Sequence, residues 1–254
     1  MFEEHTSSRY GESLEEIRSQ FLRMGGLVES MIIDSVESLS TGDIALVERV
    51  EAYELEVNRL EVEIDSLITQ VIARQQPAAI DLRLLLSVTK MITDLERCGD
   101  ESEKIARTAR RLHEQDIRFE PIVDLSFMGD LVARNLRDAL DAFARFDPIA
   151  AAKVVRADKK VNKAWRSILR ETTSFVIEDP RTMSHTMEAI FMARALERIG
   201  DHASNMAERV IYTVQGEDVR HTGSKNVLKV ASRGNIYDPV EDEGESEDSD
   251  ESKD

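Results

Sequence analysis

Leu95-Glu96-Arg97-Cys98-Gly99-Asp100 returns as Leu196-Glu197-Arg198-Ile199-Gly200-Asp201, at a constant offset of 101 residues. In each copy a Glu precedes an Asp by four positions, within sequence of helical periodicity. On a helix such residues share a face, one turn apart. Like charges placed this way repel, and a bound cation is the circumstance that favours keeping them. Each copy also holds a glycine inside the helix, Gly99 and Gly200. A mid-helix glycine costs about 1 kcal/mol and admits close approach of a backbone or a ligand.

The repeat extends outward from this phrase. Asp43 matches Asp147, Glu54 matches Asp158, and Val57-Asn58 matches Val161-Asn162, all at an offset of 104. Helical periodicity dominates and strand alternation is almost absent. A first helix is predicted from Ser13, where Ser13 and Glu16 have capping-box spacing. Its apolar stripe runs Leu14, Ile17, Phe21, Met24, Val28, Ile32, Val36 and Leu39. Gly25-Gly26 within that stripe implies close helix contact or a bend. After Thr41-Gly42, Asp43 caps a second helix from Ile44 to about Arg74, and Pro77 separates it from a third, from about Ile80 to His113. The second half repeats the plan. A helix follows Pro121, Asp147-Pro148 supplies a cap and first helical position, and that next helix stops near Asp179-Pro180. A last helix runs from Met183 to about Gln215, closed by Gly216. A period of about 100 exceeds the roughly 20–50 residues of a solenoid unit. The expected fold is all-α, a tandem repeat of two three-helix bundles over residues 8–116 and 119–216, with six long helices and antiparallel neighbours. Residues 217–254 are expected to form a poorly ordered extension and acidic tail.

The chain has 254 residues and a net charge of −17. Asp238–Asp254 alone holds ten acids and one Lys. This balance argues against nucleic-acid binding, which needs clustered Lys and Arg. No apolar run approaches the roughly 20 residues of a membrane span. The start, Met1-Phe2-Glu3-Glu4-His5, lacks an apolar signal core. A single Cys98 excludes an internal disulfide and suits a reducing compartment, so a cytoplasmic location is expected.

The candidate ligands are Glu96, Asp100, Glu197 and Asp201, with Glu103, Asn205 and Glu208 further along the same faces. Carboxylate and amide oxygens are hard donors that suit Mg²⁺, Ca²⁺, Mn²⁺ or iron. His202 stands about 100° round the helix from Asp201 and has no counterpart, so a Cys/His zinc site is disfavoured. A single Glu/Asp pair also fits a solvated face beside Arg97 or Arg198; the doubled phrase favours the cation. Di-iron chemistry uses Glu-x-x-His, whereas His185 precedes Glu188 and does so once. No phosphate loop, dinucleotide turn or nucleophile elbow is present, and no enzymatic activity is expected. Cys98, opposite Ile199 in the repeat, reads as a small packed side chain. Trp165 reads as core or bundle interface.

Asp81-Leu82-Arg83, the run Asp94–Asp100, and Ala195–Glu208 together resemble the PhoU family of bacterial and archaeal phosphate-uptake regulators. The resemblance covers roughly residues 8–223, through Gly216-Glu217-Asp218-Val219-Arg220-His221-Thr222. It implies a non-enzymatic cytoplasmic adaptor and negative regulator of high-affinity phosphate uptake. Its implied partners are the ATPase subunit of the phosphate ABC transporter and the phosphate sensor histidine kinase, with the membrane reached only through them. It also implies divalent or iron-type metals (Mg, Mn, Fe or Zn) at Glu96, Asp100, Glu197 and Asp201. A homodimer is expected from the apolar helical surfaces. Lys104 stands where the second copy has Asn205, which makes the second site the stronger one by expectation. The acidic tail is additional to the family length. A metal-buffering bundle without a signalling partner is the alternative reading.

Overall fold

The structure, a computed structural model, describes residues 8–114, 124–220 and 222–233. Pro121 and the acidic tail lie outside these residues. Six long helices follow in order: α1 (Ser8–Thr41), α2 (Ile44–Gln75), α3 (Ala79–Glu114), α4 (Ser126–Arg145), α5 (Pro148–Glu178) and α6 (Met183–Gln215). A short helix, α7 (Ser224–Ala231), comes last. No strand occurs among the described residues.

The local signals explain most of the boundaries. Asp43 accepts a hydrogen bond from the Ala45 amide at the start of α2. Asp147 accepts from Ile149 and Ala150 at the start of α5, whose first residue is Pro148. Gly216 closes α6 in the left-handed region, at φ 72°. Helices α4 and α6 start without a side-chain cap, and α1 begins ahead of the Ser13 capping box. Tyr10 is buried there and its hydroxyl donates to Asp81 on α3, at 2.9 Å. This contact joins residues 71 apart along the chain and anchors the first turn of α1 to α3.

Helices α1–α3 and α4–α6 each enclose a core, and the two bundles meet along α1 against α4 and α3 against α6. The seam has the pseudo-twofold character of a duplication. A Cβ on Gly25 would stand 2.5 Å from Leu140 Cδ2, and one on Gly129 would stand 2.9 Å from Val36 Cγ2. Both the glycines and the aliphatic residues facing them are related by the 104-residue offset. Gly25 is thus a close helix contact, and α1 continues through it unbroken. On the other flank, Cys98 Sγ lies 3.9 Å from the carbonyl of Ile199, its own counterpart. Cys98 is fully buried, and Trp165 packs at the margin of the core.

The region after Gly216 differs from the expected poorly ordered extension over the part described. Val219, Val227, Val230 and Ala231 are all buried, and α7 lies against α5 and α6. Val227, Val230 and Ala231 have the i, i+3, i+4 spacing that buries one stripe of a short helix.

Candidate metal centres

Helices α3 and α6 each turn their Glu-x-x-x-Asp face toward the middle helix of their own bundle. In the second bundle the glycine of the phrase makes this possible, whereas in the first the approach is an ordinary contact. A Cβ on Gly99 would meet Val57 Cγ1 at 3.6 Å, and one on Gly200 would meet Val161 Cγ1 at 3.0 Å. The close approach is therefore to a valine on the neighbouring helix. It draws acids of two helices into one cluster.

In the first bundle Glu96, Asp100 and Glu103 are half-buried. Burial raises the Glu96 carboxyl above its ordinary range, and the charges of Asp100, Glu61 and Glu54 add to this, with Arg97 opposing. Burial likewise raises Glu103, with Arg107 opposing and Glu54 and Asp100 adding. Glu54 is itself positioned by Asn58, whose side-chain amide donates to it.

In the second bundle Glu197 is buried, while Asp201 and Asn205 are exposed. Burial raises Glu197, helped by Asp201 and Asp158 and opposed by Arg194. It raises Asp158 too, where Asp201 adds to the effect and the Asn162 amide, donating at 2.6 Å, counters it. Asp201 presents much of its side chain to water, yet the atoms packed around it still raise its carboxyl, against Arg194, His202 and Arg198. Asp158 Oδ1 and Glu197 Oε2 are buried without a hydrogen-bond partner. Asp218 raises the Arg220 guanidinium, and the Glu208 charge adds to this.

Among the described residues no three His, Cys, Asp or Glu side chains form a ready-made metal site. The donor set nonetheless fits a hard cation. Each cluster joins carboxylates that raise one another's affinity for positive charge, and the second holds two buried oxygens with nothing to accept from. Leaving such oxygens unsatisfied costs about 1–3 kcal/mol each.

Three acids absent from the sequence-derived set belong here: Glu54 and Glu61 on α2, and Asp158 on α5. Glu54/Asp158 and Asn58/Asn162 recur at the repeat offset, which was the available signal. Lys104 does not face its cluster. Its ammonium donates to Glu101 at 3.0 Å, and Arg198 holds the same carboxylate at 2.7 Å from across the bundle seam. His202 and Asp94 meet across that seam at 2.8 Å. Lys104, Arg194 and Arg198 with Phe191 and Thr108 line a cavity of about 230 Å³ there. Arg198 of the phrase with Glu101, and His202 with Asp94, thus tie the two bundles together.

A family model described as the PhoU domain matches twice, over residues 21–109 and 125–210. The phosphate-specific transport system accessory protein PhoU homolog of Pseudomonas putida is 45% identical over 88% of this chain and 87% of its own. The corresponding Escherichia coli protein is 39% identical, over 89% and 93%. The crystal structure of PhoU from Pseudomonas aeruginosa superposes with a TM-score of 0.78 at 43% identity, covering 82% of this chain and all of that one. The phosphate transport system regulatory protein PhoU from Streptococcus pneumoniae gives 0.74 at 25% identity, over 83% of this chain and 99% of its own. With one domain match on each bundle and both relatives aligned along most of their length, this chain belongs to the PhoU family.

Proposed function

We propose that this chain is a cytoplasmic negative regulator of high-affinity phosphate uptake. It acts as an adaptor between the ATPase of a phosphate ABC transporter and the phosphate sensor histidine kinase. The observation that carries this reading is the likeness, over 88% of the chain, to an accessory protein of the phosphate-specific transport system. The architecture is consistent with it. Long helices in packed bundles are stiff, so regulation changes which partner is engaged rather than refolding the domain. Exposed apolar side chains such as Leu55, Val62 and Phe127 offer docking or dimer surface. Among the described residues no helix is long and apolar enough to cross a membrane.

Divalent or iron-type cations belong to the same reading. Glu96, Asp100 and Glu103 with Glu54 and Glu61 would hold one, and Glu197 and Asp201 with Asp158 would hold another. A bound cation supplies positive charge that neutralises the facing carboxylates and so sets the charge of the helix surface offered to a partner. Two buried carboxylate oxygens without a hydrogen-bond partner, on Asp158 and Glu197, belong to the second of these sites.

The test is recovery of partners from a lysate by the tagged full chain, with and without chelator. It compares wild type with Glu96→Ala/Asp100→Ala/Glu197→Ala/Asp201→Ala. The expected result is capture of the transporter ATPase and the sensor kinase by wild type, reduced by chelator and by the variant. Capture of neither component by metal-loaded wild type would leave the metal-buffering alternative and sink the adaptor reading.

A further inference from the structure

The outer face of α5 is a basic stripe on an acidic protein. Lys153, Arg156, Lys159, Lys160, Lys163, Arg166 and Arg170 are all exposed. Among the described ion pairs, none involves any of the seven, although most other arginines on the long helices hold a carboxylate. Repulsion among seven unpaired cations on one helix is unfavourable unless an anion lies over them. The equivalent helix α2 has the opposite balance, with seven acids and three arginines.

The same chain carries a matching anion. Asp238–Asp254 holds ten acids against one Lys, and its point of departure is fixed beside α5. Helix α7 rests on α5 and α6. Its end is tied down by Gln215 Nε2, which donates to the Ala231 carbonyl at 3.3 Å, and by an ion pair between Arg233 and Glu217. Gln215 and Glu217 stand at the C-terminal end of α6, beside the N-terminal end of its antiparallel neighbour α5. The stripe from Lys153 to Arg170 is about 25 Å long at 1.5 Å per residue. The 21 residues after Arg233 can extend about 70 Å. The acidic block begins five residues past the anchor, so it reaches the whole stripe without strain.

We propose that the acidic segment Asp238–Asp254 docks on the basic face of α5 in its own chain, as a reversible electrostatic cover. Attachment close to the stripe keeps the tail at high effective concentration, so weak individual contacts suffice. Such a cover is governed by ionic strength, because exposed charges separated by more than a Debye length hardly interact. It shields α5 from other polyanions at low salt and releases the face when salt or a stronger anionic partner competes. The proposal does not depend on the phosphate-uptake reading.

Zero-length carbodiimide crosslinking of the full chain tests this, because it joins only carboxylates and amines already in contact. An equal mixture of ¹⁴N and ¹⁵N chains separates links within a chain from links between chains by mass. At about 0.01 M salt, where the Debye length is about 30 Å, links from Asp238–Asp254 to Lys159, Lys160 and Lys163 within one chain are expected. They should be lost at about 1 M salt, where the Debye length is about 3 Å. They should also be lost in Arg156→Glu/Arg166→Glu/Arg170→Glu, which reverses the stripe yet keeps the reporting lysines. Circular dichroism and Tm of that variant confirm that its exposed substitutions leave the bundles folded. Links that survive the reversal, favour Lys90 or Lys104, or form only between chains would overturn the proposal. So would the absence of any tail link, which leaves the face to an external anion.

Discussion

Helices α2 and α5 descend from one repeat unit and now differ chiefly on the side away from the core. Toward the third helix of its bundle each presents an acid held by an asparagine four residues on, Glu54 with Asn58 and Asp158 with Asn162. Over its whole length α2 carries seven acids against three arginines and α5 seven basic residues against three acids, and the seven cations of α5 are exposed without an ion pair among the described residues. The retained inner pattern coincides with positions where packing and charge constrain one another. The diverged outer pattern coincides with positions where only solvent and partners constrain the side chain. This contrast locates the shared chemistry of the halves in the clusters and their separate roles on the surfaces.

The inner similarity is tested most strongly by relieving the repulsion in each cluster. Glu54→Gln and Asp158→Asn keep the hydrogen bonds from Asn58 and Asn162 while removing one charge. Each should stabilise the metal-free protein at pH 7 by roughly 1 kcal/mol, a rise in Tm of about 2–4 °C. The pH dependence has a definite sign. Glu96, Glu103, Asp158, Glu197 and Asp201 all have carboxyls raised in the folded state. Their contribution to stability is full below the ordinary carboxylate range and is lost as pH climbs through the raised values. Metal-free wild type should therefore lose stability over that interval as pH rises, and both variants should lose less. Differential scanning calorimetry across pH measures this; a variant with lower Tm at neutral pH would show that the clusters are not strained by charge.

A smaller effect separates the two glycines. Alanine in a helix interior is favoured over glycine by about 1 kcal/mol. At Gly99 the new methyl would sit 3.5 Å from Met31 Cε, an ordinary contact. At Gly200 it would sit 3.0 Å from Val161 Cγ1, which must give way. Gly99→Ala should accordingly raise Tm, and Gly200→Ala should raise it less or lower it. Equal gains from both, in the same thermal melts, would break the claim that the second bundle is the tighter at its site.

Much of this architecture was legible in the sequence, because its punctuation is local. Asp43, Asp147-Pro148 and Gly216 stand at the helix ends that their chemistry dictates. Two features were not legible, because their causes are tertiary. The first turn of α1 is held by Tyr10 reaching Asp81, and α7 is buried because α5 and α6 present a surface for its three apolar residues. At the clusters, the doubled phrase identified one helix of each pair. Glu54 and Asp158 recurred visibly, but recurrence gives register and not facing, so their place opposite the phrase emerged only from the packing at Val57 and Val161. The same holds for Lys104: its position in the repeat does not reveal that it donates to Glu101.

The proposed cation sites are one for each copy of the phrase with the acid facing it. Titration of the metal-free full chain with Mn²⁺, read by loss of the free-ion electron paramagnetic resonance signal, tests them directly. Wild type should take up two ions per chain. Glu96→Ala/Asp100→Ala should lose one of them, Glu197→Ala/Asp201→Ala the other, and the combined variant both. Undiminished uptake by the combined variant, or none by wild type, would contradict the account.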